Sequence, residues 1–371
     1  MKPVSHYAYH LTLTALALFA CSPQTPAMTP EESKRLESLT ARMTTRCVGR
    51  YQIEMPKVFV INSESRAEIE GVKVDVRPLK RQMFEVAFET RRQLLERKMQ
   101  PGKDRNRPHL RKIIPLPDSL GVIFDRAESE ASSDRSGRTF ELMAWRDGFQ
   151  LKASINATDL TFPEDADDSI AKQLKSDVDE KLAHLLDIYA RLRGRNDDEI
   201  PKEQGVCFAN GFLRGAPTDE ERIDMYHHLD GVKDVYFTYH YFSHIGPEKT
   251  TLLQRGPAIE ASLSKVNGKT LRKGSREVNG LKFEEWLLRR ESSAGAMLYD
   301  HTLELNSKEG NAAKPLFTLD LTSGVEHPGP QESLEEAATK KPIQKSTLSE
   351  AESIALWDKV TATLRPRPGA F

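Results

Sequence analysis

The 371-residue sequence predicts an α+β protein built as two related domains, each an antiparallel sheet packed by helices. Three observations carry that reading. The stretch Cys47-Val-Gly-Arg-Tyr-Gln-Ile-Glu-Met-Pro56 alternates Tyr51, Ile53 and Met55 with Arg50, Gln52 and Glu54, the period of a strand with one buried face, and Pro56 ends it. A counterpart begins at Cys207: Glu70-Gly71-Val72-Lys73 places Gly71 24 residues after Cys47, and Asp230-Gly231-Val232-Lys233 places Gly231 24 residues after Cys207. Each half also closes on a helix followed by similar letters, Leu192-Arg193-Gly194-Arg195 and Leu364-Arg365-Pro366-Arg367. An ordered set of matches with the same elements between them points to an internal duplication.

Composition narrows the function. The 54 basic and 55 acidic residues leave a net charge of −1, which lacks the basic footprint of a nucleic-acid binder. With 38% apolar and 29% charged residues the chain is globular, and no apolar run reaches the roughly 20 residues of a membrane span.

Residues 1–20 read as a lipoprotein signal peptide: Lys2 is positive, Leu11 to Ala20 is an apolar core, and Leu18-Phe19-Ala20-Cys21 places a small residue before a cysteine. Plain cleavage is the alternative to acylation of Cys21. Ser22 rather than Asp after the cysteine points to the outer membrane, with the protein facing the periplasm. Residues 21–45 form a tether and a short helix starting at Thr29-Pro30-Glu31-Glu32, whose Leu36, Leu39 and Met43 are expected to pack on the first domain.

The N-terminal domain, 46–195, continues with a strand through Val72, Val74 and Val76 and a helix from Gln82 to Lys98 with Phe84, Phe88 and Leu95 on one face. The segment Gln100 to Pro117 reads as a loop. Its Lys103, Arg105, Arg107, Arg111 and Lys112 form either a solvated surface or a contact for an acidic partner. Phe140 to Ile155 is a hairpin around Asp147-Gly148, and Asp167-Asp168-Ser169 is expected to cap a long helix with Ile170, Leu174, Val178, Leu182, Leu185 and Tyr189 as its apolar stripe. A charged linker spans 196–205.

The C-terminal domain, 206–371, includes a strand from Val235 to Phe242, apolar or aromatic on both faces. It is either a covered central strand, the favoured reading, or an edge exposing aromatics such as Tyr236 and Tyr239. A helix from Pro247 to Val266, broken at Gly256-Pro257, precedes strands at Leu281 to Leu288, Leu298 to Leu305 and Leu316 to Leu321, with Asn279-Gly280 as a hairpin turn. The long polar loop Ser323 to Lys345, which includes His327, is a second candidate contact, and a final helix from Leu348 to Leu364 buries Ile354, Trp357 and Val360.

No Gly-x-Ser-x-Gly, phosphate-loop, His-Glu-x-x-His or Cys-x-x-Cys pattern is present, so no cofactor, metal or catalytic residue is expected. The one enzyme-like grouping is His227-His228 with Asp224, His240 and His244, readable as a metal site of an exported hydrolase or as hydrogen-bonded structural histidines. With Cys21 committed to the anchor, Cys47 and Cys207 remain as an even pair. They are two buried thiols or a disulfide tying the domains together; the disulfide is the expectation and requires α-carbons within about 7 Å.

The exported chain, its Cys-Val-Gly-Arg-Tyr-Gln-Ile-Glu-Met-Pro opening, Glu70-Gly-Val-Lys-Val74, the Trp145-Arg-Asp-Gly148 hairpin and the second opening Gly205-Val-Cys-Phe-Ala-Asn-Gly-Phe212 together resemble the immunity proteins cognate to the fourth class of type VI secretion lipase effectors. The resemblance covers roughly Arg46 to Arg365. It implies a two-domain periplasmic inhibitor that grips a phospholipase effector and blocks its active site, and it carries over no contact residues. A non-catalytic structural envelope lipoprotein is the remaining alternative.

Overall fold

The computed structural model describes residues 26–102, 106–117, 120–132, 134–161, 175–243, 249–292, 294–311, 314–326 and 342–371. Helix α1 (Pro30–Leu39) opens with a capping box in which Thr29 and Glu32 satisfy each other's backbone N–H. Met43 to Pro56 is a hairpin rather than one strand: β1 (Met43–Val48) pairs with β2 (Tyr51–Pro56). Gly49 makes the turn at φ +57°, where a side chain is strained, and a Cβ there would sit 2.6 Å from the Tyr241 ring.

The first half continues with β3 (Phe59–Ile61), the hairpin of β4 (Arg66–Ile69) and β5 (Val72–Pro78), and α2 (Arg81–Arg97). The expected loop from Gln100 to Pro117 is largely extended. It holds the two-residue ladder β6 (Met99–Gln100) with β7 (Arg107–Pro108), and then β8 (Leu110–Pro115) pairs with β9 (Leu120–Ala127). Strands β10 (Gly137–Arg146) and β11 (Phe149–Thr158) form the hairpin around Asp147-Gly148, with φ of 51° and 87°. Helix α3 (Val178–Arg191) is shorter than its apolar stripe suggested: 175–177 are not helical, and Asp177 is held against Thr158 by N–H···O bonds of 2.6 and 3.1 Å. The expected cap at 167–169 lies outside the described residues.

The second half repeats the order. After β12 (Leu192–Gly194) come the hairpin β13 (Gly205–Phe208) and β14 (Gly211–Arg214), the hairpin β15 (Glu221–Leu229) and β16 (Val235–Phe242), and α4 (Gly256–Leu263). Gly256-Pro257 begins this helix instead of breaking one, as a proline at a first-turn position does. Then β17 (Lys269–Val278), β18 (Leu281–Glu291), β19 (Met297–Leu305) and β20 (Leu316–Ser323) form a meander, followed by α5 (Glu350–Thr361) and β21 (Arg365–Pro366).

The two halves share one large antiparallel sheet, in the order β17-β18-β19-β20-β16-β15-β4-β5-β11-β10-β9-β8. Hairpin β15/β16 lies beside its counterpart β4/β5, and the strands outward from that centre correspond one for one. Separate sheets in separate domains were expected; the central ladder, Glu221 opposite Ile69 through Asp224 opposite Arg66, joins them. The halves also exchange their ends. Strand β12 of the first half pairs with β14 of the second, and β21 of the second pairs with β2 of the first. Leu36, Leu39 and Met43 pack against the core that both halves share, and helix α1 also contacts the second half, where Arg35 binds Glu352 of α5, Nε to Oε1 at 2.5 Å. The result is an α+β protein of two halves around a continuous sheet.

Candidate partner-binding face

The alternation along each strand gives the large sheet two unlike faces. One face carries Leu287, His301, Leu321, Phe237 and His227 in register, all fully buried, and is covered by α3, α5 and the two small sheets. At the centre of that side Cys47 and Cys207 are disulfide-bonded, with α-carbons 5.7 Å apart and neither side chain exposed. Gly49 and Cys207 exchange backbone hydrogen bonds of 2.9 and 2.8 Å beside the bridge. Three buried arginines surround it. Arg50 pairs with Glu221 through contacts of 2.5 to 3.1 Å, Arg195 donates to the carbonyls of Cys47, Phe208 and Gly211, and Arg367 donates to those of Pro201, Glu203 and Gly205. Burial lowers both Arg195 and Arg367 to about 10, which leaves each charged at neutral pH. The residues Leu192 to Arg195 and Leu364 to Arg367 advertise this symmetry in the sequence, yet their clamping role was not legible there because the partners are backbone carbonyls far along the chain.

The second face is polar. One row across it reads Glu284, Glu304, Thr318, His240, Asp224 and Arg66, and another reads Arg222, Glu68, Lys73, Ser154 and Glu141. Helix α2 covers one end, with Phe84 and Phe88 against Phe124 and Met143 and Arg91 bound to Glu141. Helix α4 covers the other, with Gly256 against the Trp286 ring. Between them, among the described residues, no helix packs on the central strands; Arg66, Lys73, Arg77 and Arg222 are exposed and His240, Tyr226 and Thr318 half-buried. A cavity of about 450 Å³ opens on this floor where the halves meet, lined by Glu64, Arg66, Lys73, Asp75, Arg222 and Asp224. The arrangement is a trough with two helical walls and a charged floor drawn from both halves.

The histidines do not converge. His227 and His228 are neighbours on β15 and point to opposite faces. His227 is buried against Asp197, Nε2 to Oδ2 at 3.1 Å, and Arg46 reaches the same oxygen at 3.0 Å. Burial opposes ionisation of Asp197, but His227 and Arg46 hold its carboxyl far below the usual range. On the polar face His240 Nδ1 lies 2.5 Å from Asp224 Oδ1. His244 lies outside the described residues, and among those described no three ligating side chains group as a metal site.

The expected contacts fare unevenly. Tyr239 is fully buried on the covered face, its hydroxyl 3.9 Å from Met55 Sδ, and Tyr236 is 9% exposed; β16 is a central strand between β15 and β20, as favoured, but its polar face is not fully covered, since His240 stays half-buried there. Arg111 turns inward to the Arg135 carbonyl at 2.5 Å and faces Asp159 at 3.6 Å, and Arg107 is in the β6–β7 ladder. Lys112 is exposed on β8, an edge strand of the large sheet. Cys21, Lys103, Arg105 and His327 lie outside the described residues.

Comparison with known families places this architecture. Residues 44–195 match the model of the Tle cognate immunity protein 4 N-terminal domain, and residues 199–369 match that of the Tle cognate immunity protein 4 C-terminal domain. The chain belongs to the Tle cognate immunity protein 4 family. Solved structures share the fold of this family member. The Tle4–Tli4 complex matches at 21% identity and a TM-score of 0.64, over 89% of this chain and 99% of that one. Apo TplEi, an immunity protein of the type VI secretion system of Pseudomonas aeruginosa, matches at 21% identity and a TM-score of 0.62, over 88% and 98%. TplEi complexed with an "L" peptide matches at 19% identity and a TM-score of 0.60, over 89% and 99%. No protein of curated function matches the sequence.

Proposed function

We propose that this immunity protein binds a type VI secretion phospholipase effector stoichiometrically, blocks it, and so protects the producing cell from membrane damage, without turning over a substrate itself. The observation that carries the reading is the pair of family matches spanning 44–369. The complex with Tle4 and the peptide complex among the structural neighbours support a protein partner. The trough is the surface we assign to that partner. It draws on both halves, as a stable interface of about 1,600 Å² favours, and its floor is polar and accessible.

The protein acts in the periplasm, anchored through acylated Cys21. Only eight residues lie between Cys21 and Pro30, so α1 starts within about 30 Å of the anchor. Helix α1 sits on α5, on the side away from the trough, and anchoring therefore leaves the trough facing the periplasm.

The test is co-expression of the full chain with the phospholipases of its own genome, exported to the periplasm. One of them should lose its toxicity and co-purify with the chain in a 1:1 complex devoid of lipase activity. Protection without complex formation would overturn the reading. The hydrolase alternative is checked in parallel: ester or phospholipid turnover by the purified chain, with or without zinc, that disappears in His240→Ala would replace the inhibitor reading.

A further inference from the structure

The two solvent flanks of α2, one wall of the trough, differ in character. One carries Arg81, Glu85, Glu89, Arg92 and Glu96, laced together by the ion pairs Arg81–Glu85, Arg92–Glu89 and Arg92–Glu96. The other carries Met83, Val86 and Leu94, all exposed, with Thr90 between them at helical spacing. The packing of the helix shows which way each flank faces. Arg91, beside Leu94 on the helix surface, reaches Glu141 of β10, whereas Phe88, beside Glu85 and Arg92, stacks on Phe124 of β9. Strand β10 lies nearer the centre of the sheet than β9, so the apolar flank faces into the trough and the charged flank faces the β8 edge.

The floor beside this wall is cationic at its surface. Arg66, Lys73, Arg77 and Arg222 are exposed around the cavity where the halves meet, and the acids that line it are withdrawn: Glu64 and Asp224 are buried, Glu68 and Asp75 half-buried. Asp224 is taken up by His240 at 2.5 Å and Arg222 at 3.6 Å, and Asp75 by Arg77 at 3.1 Å. Glu68 lies between Arg222 and Lys73 across the ladder. Among the described residues the side chains of Arg66 and Lys73 make no hydrogen bond or ion pair. Lys152 adds a half-buried cation opposite Asp75. A group entering the trough therefore meets cations first, and two of them have no internal partner.

The shape selects what can reach them. At about 4.8 Å per strand, the eight steps from β10 to β18 span roughly 38 Å, which admits a helix about 10–12 Å across. A flat anionic membrane would rest on the α2 and α4 walls and stop short of the floor. We propose that the effector segment received by the trough is acidic and amphipathic: its carboxylates meet Arg66, Lys73 and Arg222 on the floor, and its apolar side chains cover Met83, Val86 and Leu94 on the α2 wall. The inference rests on the effector reading and adds the chemistry of the segment received. The floor steers and aligns that segment, and the apolar flank supplies the desolvated contact.

The experiment measures affinity of the full chain for the phospholipase it inhibits, at 0.05 and 0.5 M NaCl, with thermal unfolding of each variant as the folding control. Wild-type affinity should fall as salt rises. Arg66→Gln with Lys73→Gln should weaken binding about 5- to 20-fold at the lower salt and much less at the higher, while Arg66→Lys with Lys73→Arg should stay near wild type. Val86→Ser with Leu94→Ser should weaken it about 10- to 30-fold at both salts. Glu85→Gln with Glu96→Gln, on the outer flank, should change it less than about twofold. Should a double variant fail to fold, the single substitutions Lys73→Glu and Met83→Ser decide. Either the glutamine pair or the serine pair within twofold of wild type overturns the inference while leaving the inhibitor reading in place. So does binding to phosphatidylglycerol vesicles that the glutamine pair abolishes without changing effector affinity, which would assign the floor to a lipid surface. Absence of any wild-type complex overturns the inhibitor reading itself, and this surface with it.

Discussion

Arg50 and Glu221 are each 1% exposed and joined by a guanidinium–carboxylate contact of 2.5 Å, although one belongs to the first hairpin and the other to the centre of the second half. Glu221 also accepts from the Tyr241 hydroxyl at 3.0 Å, and Arg50 donates to the carbonyls of Ala216 and Ala370. Removing one member leaves a buried charge without its counter-ion. Arg50→Ala or Glu221→Ala should therefore destabilise the protein by about 3–5 kcal/mol in urea unfolding, whereas removal of the exposed pair Arg81–Glu85 should change stability by less than about 1 kcal/mol.

The disulfide closes a loop of 160 residues. On the chain-entropy account such a cross-link contributes up to about 5 kcal/mol, less whatever residual order the reduced chain retains. Cys47→Ser with Cys207→Ser should lower the unfolding midpoint and weaken effector binding in proportion to the freedom regained by the halves. Unchanged stability in oxidised and reduced protein would contradict this.

The strand exchange makes the halves interdependent. A fragment ending at residue 198 lacks β21, the third strand of its own small sheet, and one beginning at 199 lacks β12. Each should be unfolded by circular dichroism when made alone, and the two together should assemble into a 1:1 complex with native-like spectra. Cooperative unfolding of either fragment by itself would disprove the interdependence.

Acid should destabilise the protein in a window set by His301. Burial depresses its pKa to about 4; it contacts Ser353 Oγ at 3.1 Å and the edge of Trp357. The unfolded chain binds that proton below about 6.5, so the stabilising contribution is full above 6.5 and lost as the pH falls toward 4, roughly 3 kcal/mol across the window. Asp197, held far below its ordinary value, adds a loss only when the pH falls under about 4. His301→Gln should flatten the stability profile between pH 4 and 6.5, read by urea midpoints.

Local chemistry made much of this fold legible. Asp147-Gly148 and Asn279-Gly280 take the left-handed angles their hairpins need, and the apolar alternation of Phe140 to Ile155 sets its register. The repeat spacing from the two cysteines locates equivalent turns at Gly71 and Gly231. What the sequence hid depends on distant partners. Nothing in Arg66-Ala-Glu-Ile69 announces that it pairs with β15, and nothing in Arg365-Pro366 announces a strand on β2. Gly49 reads as a strand interruption only once the Tyr241 ring is known to press on it. The trough was invisible for the same reason: its two rows combine single residues from six and from five strands. His240 drew notice as a possible ligand, but only the cross-strand position of Asp224 shows that a carboxylate holds it instead.

The closing of β21 on β2 also dictates an order of events during synthesis. The partner that completes the first small sheet is the last strand of the chain, and the cysteine that locks Cys47 lies 160 residues beyond it. As the chain emerges from its N-terminus, the first half has no finished native state to reach until Pro366 has been made. Its incomplete sheet must be kept from pairing with other strands in the meantime. Protection of the producing cell therefore begins only with the complete chain, and a truncation of a few C-terminal residues disables the half made first.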